Sequence, residues 1–402
     1  MTDPGTTAVL ADTDRFSALA AGSILFAVGP IAIILMPMIV GSYVEDLGFT
    51  VKEAGFLASA EATGMCLASI AALLWVVRVN WRLVAGLGIG LYIVANLAAI
   101  GIDSFMPMLC CRVLASFGSG TAFAVSVASL GNYRNPERAY ACGAIVQSTL
   151  QIIAFALSPQ IVQKWGADGM FLMLVVIALF VALSLPWLPA HGSRGTKRQH
   201  MDVAAGNGLN LVPVTVSLVA SLLYFISVVG FWTYLERIGD AAGLSTTLIG
   251  FALAASMGFS LAGGAAAAWL SDRYGRVLPL SLATAGQVVV LVLLVGDIDA
   301  TVFTAGATIF FTLWVFLNAY QMALVAVVDI SGRFVVLVPA FQGAGAIIGP
   351  AVAALLIKDG SYLPVNIMAG FFAVASLVLF IYIVLRYTDR RLYRLAGNHG
   401  PV

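Results

Sequence analysis

Two ionisable residues lie inside long, otherwise uncharged apolar stretches of this sequence. Glu61 is the only charged residue within 54–77, and Arg112 is the only one within 104–133. A carboxyl group in such surroundings can take up and release a proton, because burial favours its neutral form and a nearby guanidinium favours its ionised form. A static ion pair that joins two helices is the alternative interpretation. In both cases the two stretches must lie side by side.

The composition places the chain in a membrane. Of its 402 residues 61% are hydrophobic and 10% are charged, and the mean hydropathy is +1.00. Soluble domains carry roughly 25% charged residues. The net charge of +1 gives no indication of a nucleic-acid partner. The four cysteines lie in or beside apolar runs without disulfide or metal-type spacing, so we expect neither a metal nor another cofactor.

Apolar runs between charges and turn residues predict an all-α membrane protein with twelve transmembrane helices. The predicted spans one to twelve cover residues 17–43, 53–77, 82–102, 105–131, 139–163, 169–188, 211–235, 247–270, 277–296, 301–327, 334–357 and 363–386. A shift of 194 residues carries the start of span one onto span seven and the start of span two onto span eight. The spans therefore form two pseudo-symmetric six-helix bundles, an arrangement typical of secondary transporters.

The lysines and arginines predict the orientation. With the N-terminus in the cytoplasm, fifteen of the twenty fall in cytoplasmic segments and four in outside loops, while Arg112 lies within a span. The predicted organisation is a cytoplasmic N-terminus over 1–16, a bundle over 17–188, a cytoplasmic linker over 189–210, a bundle over 211–386 and a cytoplasmic tail over 387–402.

A charged turn joins spans eight and nine. It reads Asp272-Arg273-Tyr274-Gly275-Arg276, and its glycine permits a tight reversal of the backbone. With the twelve spans and the basic linker, this turn resembles the Gly-x-x-x-Asp-Arg/Lys-x-Gly-Arg/Lys pattern of the major facilitator superfamily, although alanine stands at the first glycine. The resemblance extends to span four, where Arg112 is followed by glycines. It covers essentially the whole chain and implies a gating role for the turn.

The sister turn between spans two and three departs from the family pattern. The 194-residue shift places Arg78 where the family has the aspartate. In the family this aspartate commonly engages the start of span eleven, a helix N-terminus that suits a carboxylate better than an arginine. Asp329 lies just before span eleven and could pair with Arg78 in a swapped arrangement. The alternative is that Arg78 only marks the cytoplasmic surface.

Glu61 and Arg112 are the predicted proton-coupling residues. Spans two and four both start outside, so the two residues enter the membrane to a similar depth. Glu61 shares a helix face with small residues that allow close packing against another helix. The resemblance implies a coupling role for Arg112, whereas the residues alone leave coupling and a static ion pair equally open.

Polar and aromatic residues within the spans are the predicted substrate contacts. They are Gln147, Tyr224, Trp232, Trp314, Asn318, Gln321 and Gln342. Gln147 and Gln342 occupy matching places in spans five and eleven, and the resemblance implies a central site at the interface of the repeats. Hydrogen bonding between helices is the structural alternative for each amide. A polyanion would need several basic residues within the spans, so a neutral, aromatic or weakly acidic organic molecule fits better.

We expect a secondary transporter working by alternating access, with proton-coupled symport favoured. A proton-coupled efflux antiporter for hydrophobic drugs or metabolites is the alternative; the family's antiporter signature is absent from span five, whereas a related run, 345–350, occurs in span eleven. The three histidines lie in the predicted linker and tail, which argues against an enzyme. The expected partners are a small substrate, protons and lipid, and the expected location is a bacterial-type inner membrane, with the chain as a monomer and both termini cytoplasmic.

Charge reversal tests the swapped pairing. Asp329→Arg should abolish transport because it places two cations together, and adding Arg78→Asp should restore transport by re-forming an ion pair. Uptake into cells is the measurement. If the double variant is as inactive as Asp329→Arg alone, the swapped pairing is wrong.

Overall fold

The computed structural model describes residues 15–76, 78–133, 136–191, 211–270, 273–329, 337–358 and 360–388. The chain divides into two compact units, Met1–Gly206 and Asn207–Val402. Asp272 lies outside the described residues, as do most of the linker and tail. Within the described ranges, nine helices are long and apolar enough to cross a membrane, and two shorter apolar helices accompany them.

The first unit contains spans one to six. Span one consists of three consecutive helices, and spans five and six are assigned as one run of helix. The helices are Phe16–Val28, Ile31–Ile34 and Met36–Glu45 for span one, then Val51–Trp75, Trp81–Ala99, Phe105–Gly131 and Pro136–Ala182. Gly166, at φ +58° and ψ −148°, breaks the last of these, so this helix holds two crossings. The predicted loop at 164–168 is therefore reduced to a kink.

Span one breaks where its sequence contains glycine and proline. The first helix ends at Val28, before Gly29 and Pro30, and the third begins at Met36. Proline has no N–H group and its ring clashes with the preceding turn, so it interrupts a helix. Span two begins more firmly, because the Thr50 hydroxyl and the Glu53 carboxylate cap each other's backbone N–H groups.

The second unit contains spans seven to twelve. Its helices are Leu211–Thr233, Leu235–Ala241, Thr246–Leu270, Val277–Leu293, Ala300–Val328, Val338–Leu356 and Leu363–Ile383. The first two belong to span seven, which breaks at Tyr234. Together with the kinked helix of the first unit, these helices complete the twelve spans of the predicted six-plus-six fold.

The same pairs of spans pack in both units. Span two lies along span four as span eight lies along span ten, and spans three and nine pack on the same partners in their own units. Span one packs on the run that holds spans five and six, just as span seven packs on spans eleven and twelve. This correspondence is the structural form of the 194-residue repeat.

Glycines permit the closest of these contacts. A Cβ atom at Gly64 of span two would clash with the Ser116 hydroxyl and the Val113 carbonyl of span four. A Cβ atom at Gly349 of span eleven would lie 2.7 Å from the Ile226 carbonyl of span seven. Small residues let helix backbones approach in this way inside a membrane. The small-residue face predicted on span two is thus the face on which span four packs.

Replacing Gly64 should loosen the packing of spans two and four. We expect Gly64→Ala to lower the free energy of unfolding by about 1–3 kcal/mol, because the methyl group overpacks the contact. Gly90→Ala in span three is the matched control, since no atom lies within 4 Å of the added Cβ. Thermal unfolding in detergent is the measurement. Equal melting temperatures for the two variants would contradict the close contact.

Candidate functional site

Glu61 and Arg112 meet inside the first unit. Glu61 Oε2 lies 3.9 Å from Arg112 Nη1, and only 2% and 1% of the two side chains are exposed. A direct charge-assisted hydrogen bond between such groups measures about 2.7–2.9 Å. The guanidinium therefore attracts the carboxyl group electrostatically, but no direct hydrogen bond joins the two groups.

Asn96 of span three holds the guanidinium in place. Arg112 Nη1 and Nη2 each donate a hydrogen bond of 3.1 Å to Asn96 Oδ1. The Asn96 amide is itself fixed, because its Nδ2 donates to the Tyr92 carbonyl at 2.8 Å. An amide is neutral at every physiological pH. These hydrogen bonds to Arg112 therefore involve no group that titrates with Glu61.

Aromatic side chains close the remaining sides of this cluster. The Phe171 ring of span six covers the Arg112 guanidinium, with its centroid 4.6 Å from Cζ, a contact that strengthens when both groups are away from water. Tyr43 of span one lies beside Arg112, and the Tyr92 hydroxyl has no hydrogen-bond partner among the described residues. Five spans thus contribute to one buried site, which we name the arginine cluster: Tyr43, Glu61, Tyr92, Asn96, Arg112 and Phe171.

The arginine cluster contains one buried carboxyl group beside one buried guanidinium. Glu61 carries the only carboxyl group in it, and the guanidinium keeps its charge at any accessible pH. Neutralising Glu61 would remove its charge attraction to Arg112, whereas the hydrogen bonds from Arg112 to Asn96 involve no titrating acid. Asn96 is not among the residues predicted from the sequence, although an uncharged amide in an apolar span could have pointed to it. No feature of the sequence pointed to the contacts of Tyr43 and Phe171.

A neutral polar network occupies the second unit. Tyr224 donates to Gln287 Oε1 at 3.3 Å, and Gln287 Nε2 donates to the Phe310 carbonyl at 3.4 Å. These bonds join spans seven, nine and ten. Tyr224 is fully buried, so its hydroxyl serves this network. Gln287 is not among the residues predicted from the sequence.

The other predicted substrate residues fall into an amide group and an aromatic group. Gln342 donates to Asn318 Oδ1 at 2.9 Å between spans eleven and ten, Gln321 is buried, and Gln147 is half-buried on span five in the first unit. Trp232 and Trp314 pack edge to face with centroids 6.2 Å apart. The structure thus brings the predicted residues of spans seven, ten and eleven into one unit.

Glu236 is a buried carboxyl group at the outer end of predicted span seven. It follows the break of span seven at Tyr234, and its side chain is 2% exposed. Arg237 beside it pairs with Asp240 at 3.1 Å. Tyr362 lies in the field of all three charges; burial raises the pKa of its phenol, and a hydrogen bond with Arg237 opposes that rise. Hydropathy gave no signal for this burial, since position 236 lies at a span end.

The two sister turns are built differently. Between spans eight and nine, Gly275 has φ +67°, which confirms the predicted tight turn, and Arg273 stacks on Trp269 with 5.0 Å from Cζ to the ring centroid. Arg276 directly precedes the helix of span nine.

Between spans two and three, a tryptophan stands at the position of that glycine. The Trp81 indole donates to the Val76 carbonyl at 2.7 Å, its backbone N–H donates to Ala190, and Arg82 Nε donates to the Leu188 carbonyl. Hydrogen bonds to the segment after span six thus replace the glycine turn. Arg78 is exposed and Asp329, at the end of span ten, is buried; their pairing stays a prediction.

The sequence matches the Major Facilitator Superfamily over residues 20–335. The chain belongs to this superfamily. It is accordingly a multi-pass membrane protein and a secondary transporter of a small molecule, as the twelve-span fold indicates. No curated protein matches the sequence significantly.

Solved structures of superfamily transporters share the fold. The nucleoside transporter NupG superposes with a TM-score of 0.71 at 12% identity, over 93% of this chain and 100% of that one. A D-xylose-proton symporter gives 0.72 at 12% identity, over 90% and 96%. The xylose transporter XylE from E. coli gives 0.72 at 11% identity, over 92% and 97%.

A double-mutant cycle tests the arginine cluster. We expect Arg112→Gln to lower the free energy of unfolding by about 3–5 kcal/mol, because it leaves the Glu61 carboxyl buried without its cation. Adding Glu61→Gln removes that charge and should recover about 1–3 kcal/mol. Denaturant unfolding of all four proteins gives the coupling. Strictly additive losses would show that the two side chains do not interact.

Proposed function

We propose that this transporter is a proton-coupled symporter of a neutral, aromatic or weakly acidic organic molecule. The observation that supports the proposal most directly is the Glu61 carboxyl group, buried 3.9 Å from Arg112 yet not clamped to it. An ionisable side chain inside a membrane protein is costly and generally serves a function. A static ion pair that joins spans two and four is the structural alternative.

The proposed coupling works through the contact between spans two and four. When Glu61 is ionised, its attraction to Arg112 draws the two spans together at this depth. When Glu61 takes up a proton, that attraction ends while Asn96 continues to hold the guanidinium. In this proposal the two protonation states favour different arrangements of the spans, and this preference biases the equilibrium between the states of an alternating-access cycle.

The composition of the second unit supports the proposed substrate class. Its interior presents amides, a phenol and tryptophans, whereas a phosphorylated substrate would call for several basic side chains. Gln147, Tyr224, Trp232, Trp314, Asn318, Gln321 and Gln342 remain the proposed substrate residues.

Proton-coupled efflux is the second candidate. It is favoured by the glycine-rich run of span eleven, where a Cβ at Gly345 would lie 2.5 Å from the Leu222 carbonyl of span seven. The run 345–350 has the Gly-x-x-x-Gly-Pro spacing of the antiporter signature, although it lies in span eleven and not in span five. The two candidates differ in the direction in which a proton gradient drives the substrate.

The arginine-rich side of the chain supports a cytoplasmic location for both termini, and we propose a monomer in a bacterial-type inner membrane. One-sided labelling of Tyr274→Cys by an impermeant thiol reagent and the mass of the detergent-solubilised protein would check these points. The turn that holds Tyr274 is exposed, so a cysteine there would react readily from its own side.

Gradient-driven flux in proteoliposomes tests the proposed coupling. With a panel of neutral and aromatic metabolites and an acidic exterior, we expect inward accumulation by the wild type and a loss of at least about tenfold in Glu61→Gln, which cannot exchange a proton. Downhill exchange of the same substrate should persist. Asp103→Asn is the control, because this carboxyl group is exposed.

The outcomes separate the candidates. Outward movement driven by the acidic exterior would replace symport by antiport. Gradient-driven flux that is equal in wild type and Glu61→Gln would overturn the proton site while leaving the transporter fold untouched.

A further inference from the structure

The amide pair between spans ten and eleven is only half satisfied. Gln342 Nε2 donates to Asn318 Oδ1 at 2.9 Å, and both side chains are half-buried. Each amide offers an acceptor oxygen and two donor hydrogens, so Asn318 Nδ2 and Gln342 Oε1 have no partner among the described residues. If both amide groups are rotated by 180°, Asn318 Nδ2 donates to Gln342 Oε1 instead. One N–H donor and one oxygen acceptor then still remain without a partner.

A second unsatisfied amide lies on the same face of span ten. Gln321 is three residues beyond Asn318, and residues three or four apart share a helix face. Its side chain is 3% exposed, and its Oε1 atom has no hydrogen-bond partner among the described residues. Buried polar atoms are normally paired. Span ten thus presents the unpaired atoms of Asn318 and Gln321 on one face.

An aromatic wall, formed by Trp314, Phe225 and Phe311, lies one helical turn before Asn318, on the side opposite Gln321. Trp314 precedes Asn318 by four residues and packs edge to face against Phe225 of span seven, with centroids 6.2 Å apart at 83°. Phe311 extends the wall, 5.0 Å from Trp314. Aromatic walls of this kind bury planar, apolar ligand surface. The amides and the wall thus lie side by side along span ten.

We propose that the substrate is a planar cyclic amide, and that the Asn318–Gln342 pair binds its edge. This inference rests on the proposed transport function and narrows its substrate class. A ring carbonyl would accept from Asn318 Nδ2, and the adjacent ring N–H would donate to Gln342 Oε1. A carboxylate would accept from Asn318 Nδ2 but would be repelled by the partial negative charge of Gln342 Oε1. A hydrocarbon would leave both of these atoms unpaired. The ring lies against the aromatic wall.

Two ligands that differ only at the N–H group test this inference. 2-Quinolone is a planar bicyclic lactam, and N-methyl-2-quinolone has the same ring and carbonyl without the donor. We expect 2-quinolone to raise the unfolding temperature of the purified full-length protein in detergent, with an affinity about tenfold or more above that of its N-methyl derivative. A lost hydrogen bond that leaves a buried acceptor unpaired costs about this much.

Variants locate the binding. The double variant Asn318→Leu/Gln342→Leu should lose the preference for 2-quinolone while still folding, because replacing both partners of a hydrogen bond by apolar groups is nearly neutral. Gln160→Leu, at an exposed amide of span five, is the matched control and should keep the preference.

Equal affinity for the two ligands, no binding of either, or stabilisation by D-xylose in place of the lactam would overturn the inference. The measurement uses no proton gradient. Failure here combined with gradient-driven flux of another metabolite would refute the cyclic amide alone, and lactam binding without gradient-driven flux would refute only the coupling.

Discussion

The cost of burying one guanidinium governs the architecture of the first unit. Removing an ion from water costs several kcal/mol even after the protein relaxes. Arg112 meets that cost with two hydrogen bonds to Asn96, a stacking contact with Phe171 and the nearby carboxyl group of Glu61. These groups come from spans three, six and two. The contacts that stabilise one buried charge therefore constrain the relative positions of several helices. Gly64 and its neighbours make that arrangement sterically possible.

The two halves share a helix arrangement but use it for different chemistry. The 194-residue shift places Ala255 where span two has Glu61, and Gly306 where span four has Arg112. The pair of spans eight and ten therefore packs without charge, through Gly263 against the Thr312 carbonyl. The polar network of spans seven, nine and ten consists of a phenol and an amide, whereas the buried carboxyl group of Glu236 follows the break of span seven. This difference is the physical basis for placing the proposed proton site in the first unit and most of the proposed substrate residues in the second.

Much of the fold could be predicted from the sequence because the relevant signals are local. The length of each apolar run, the proline of span one and the left-handed glycine at 275 act within a few residues of themselves. Spans five and six show the limit: their connection shrinks to a kink at Gly166, although the intervening residues read as a loop. Asn96 and Glu236 show the same limit. Their burial and contacts depend on the helices that surround them and not on their neighbours in sequence.

The sequence by itself determined the membrane class, the twelve spans, the repeat and the presence of two charges at similar depth. Only the tertiary structure decided that Glu61 and Arg112 meet, that Asn96 holds the arginine and that Gln342 bonds to Asn318. The physical reason is that lipid tails are as apolar as a helix interior, so hydropathy cannot distinguish a lipid-facing side from a packed one. The rotation of each helix about its axis is set by small residues and polar pairs across spans, and these become visible only when the helices are assembled.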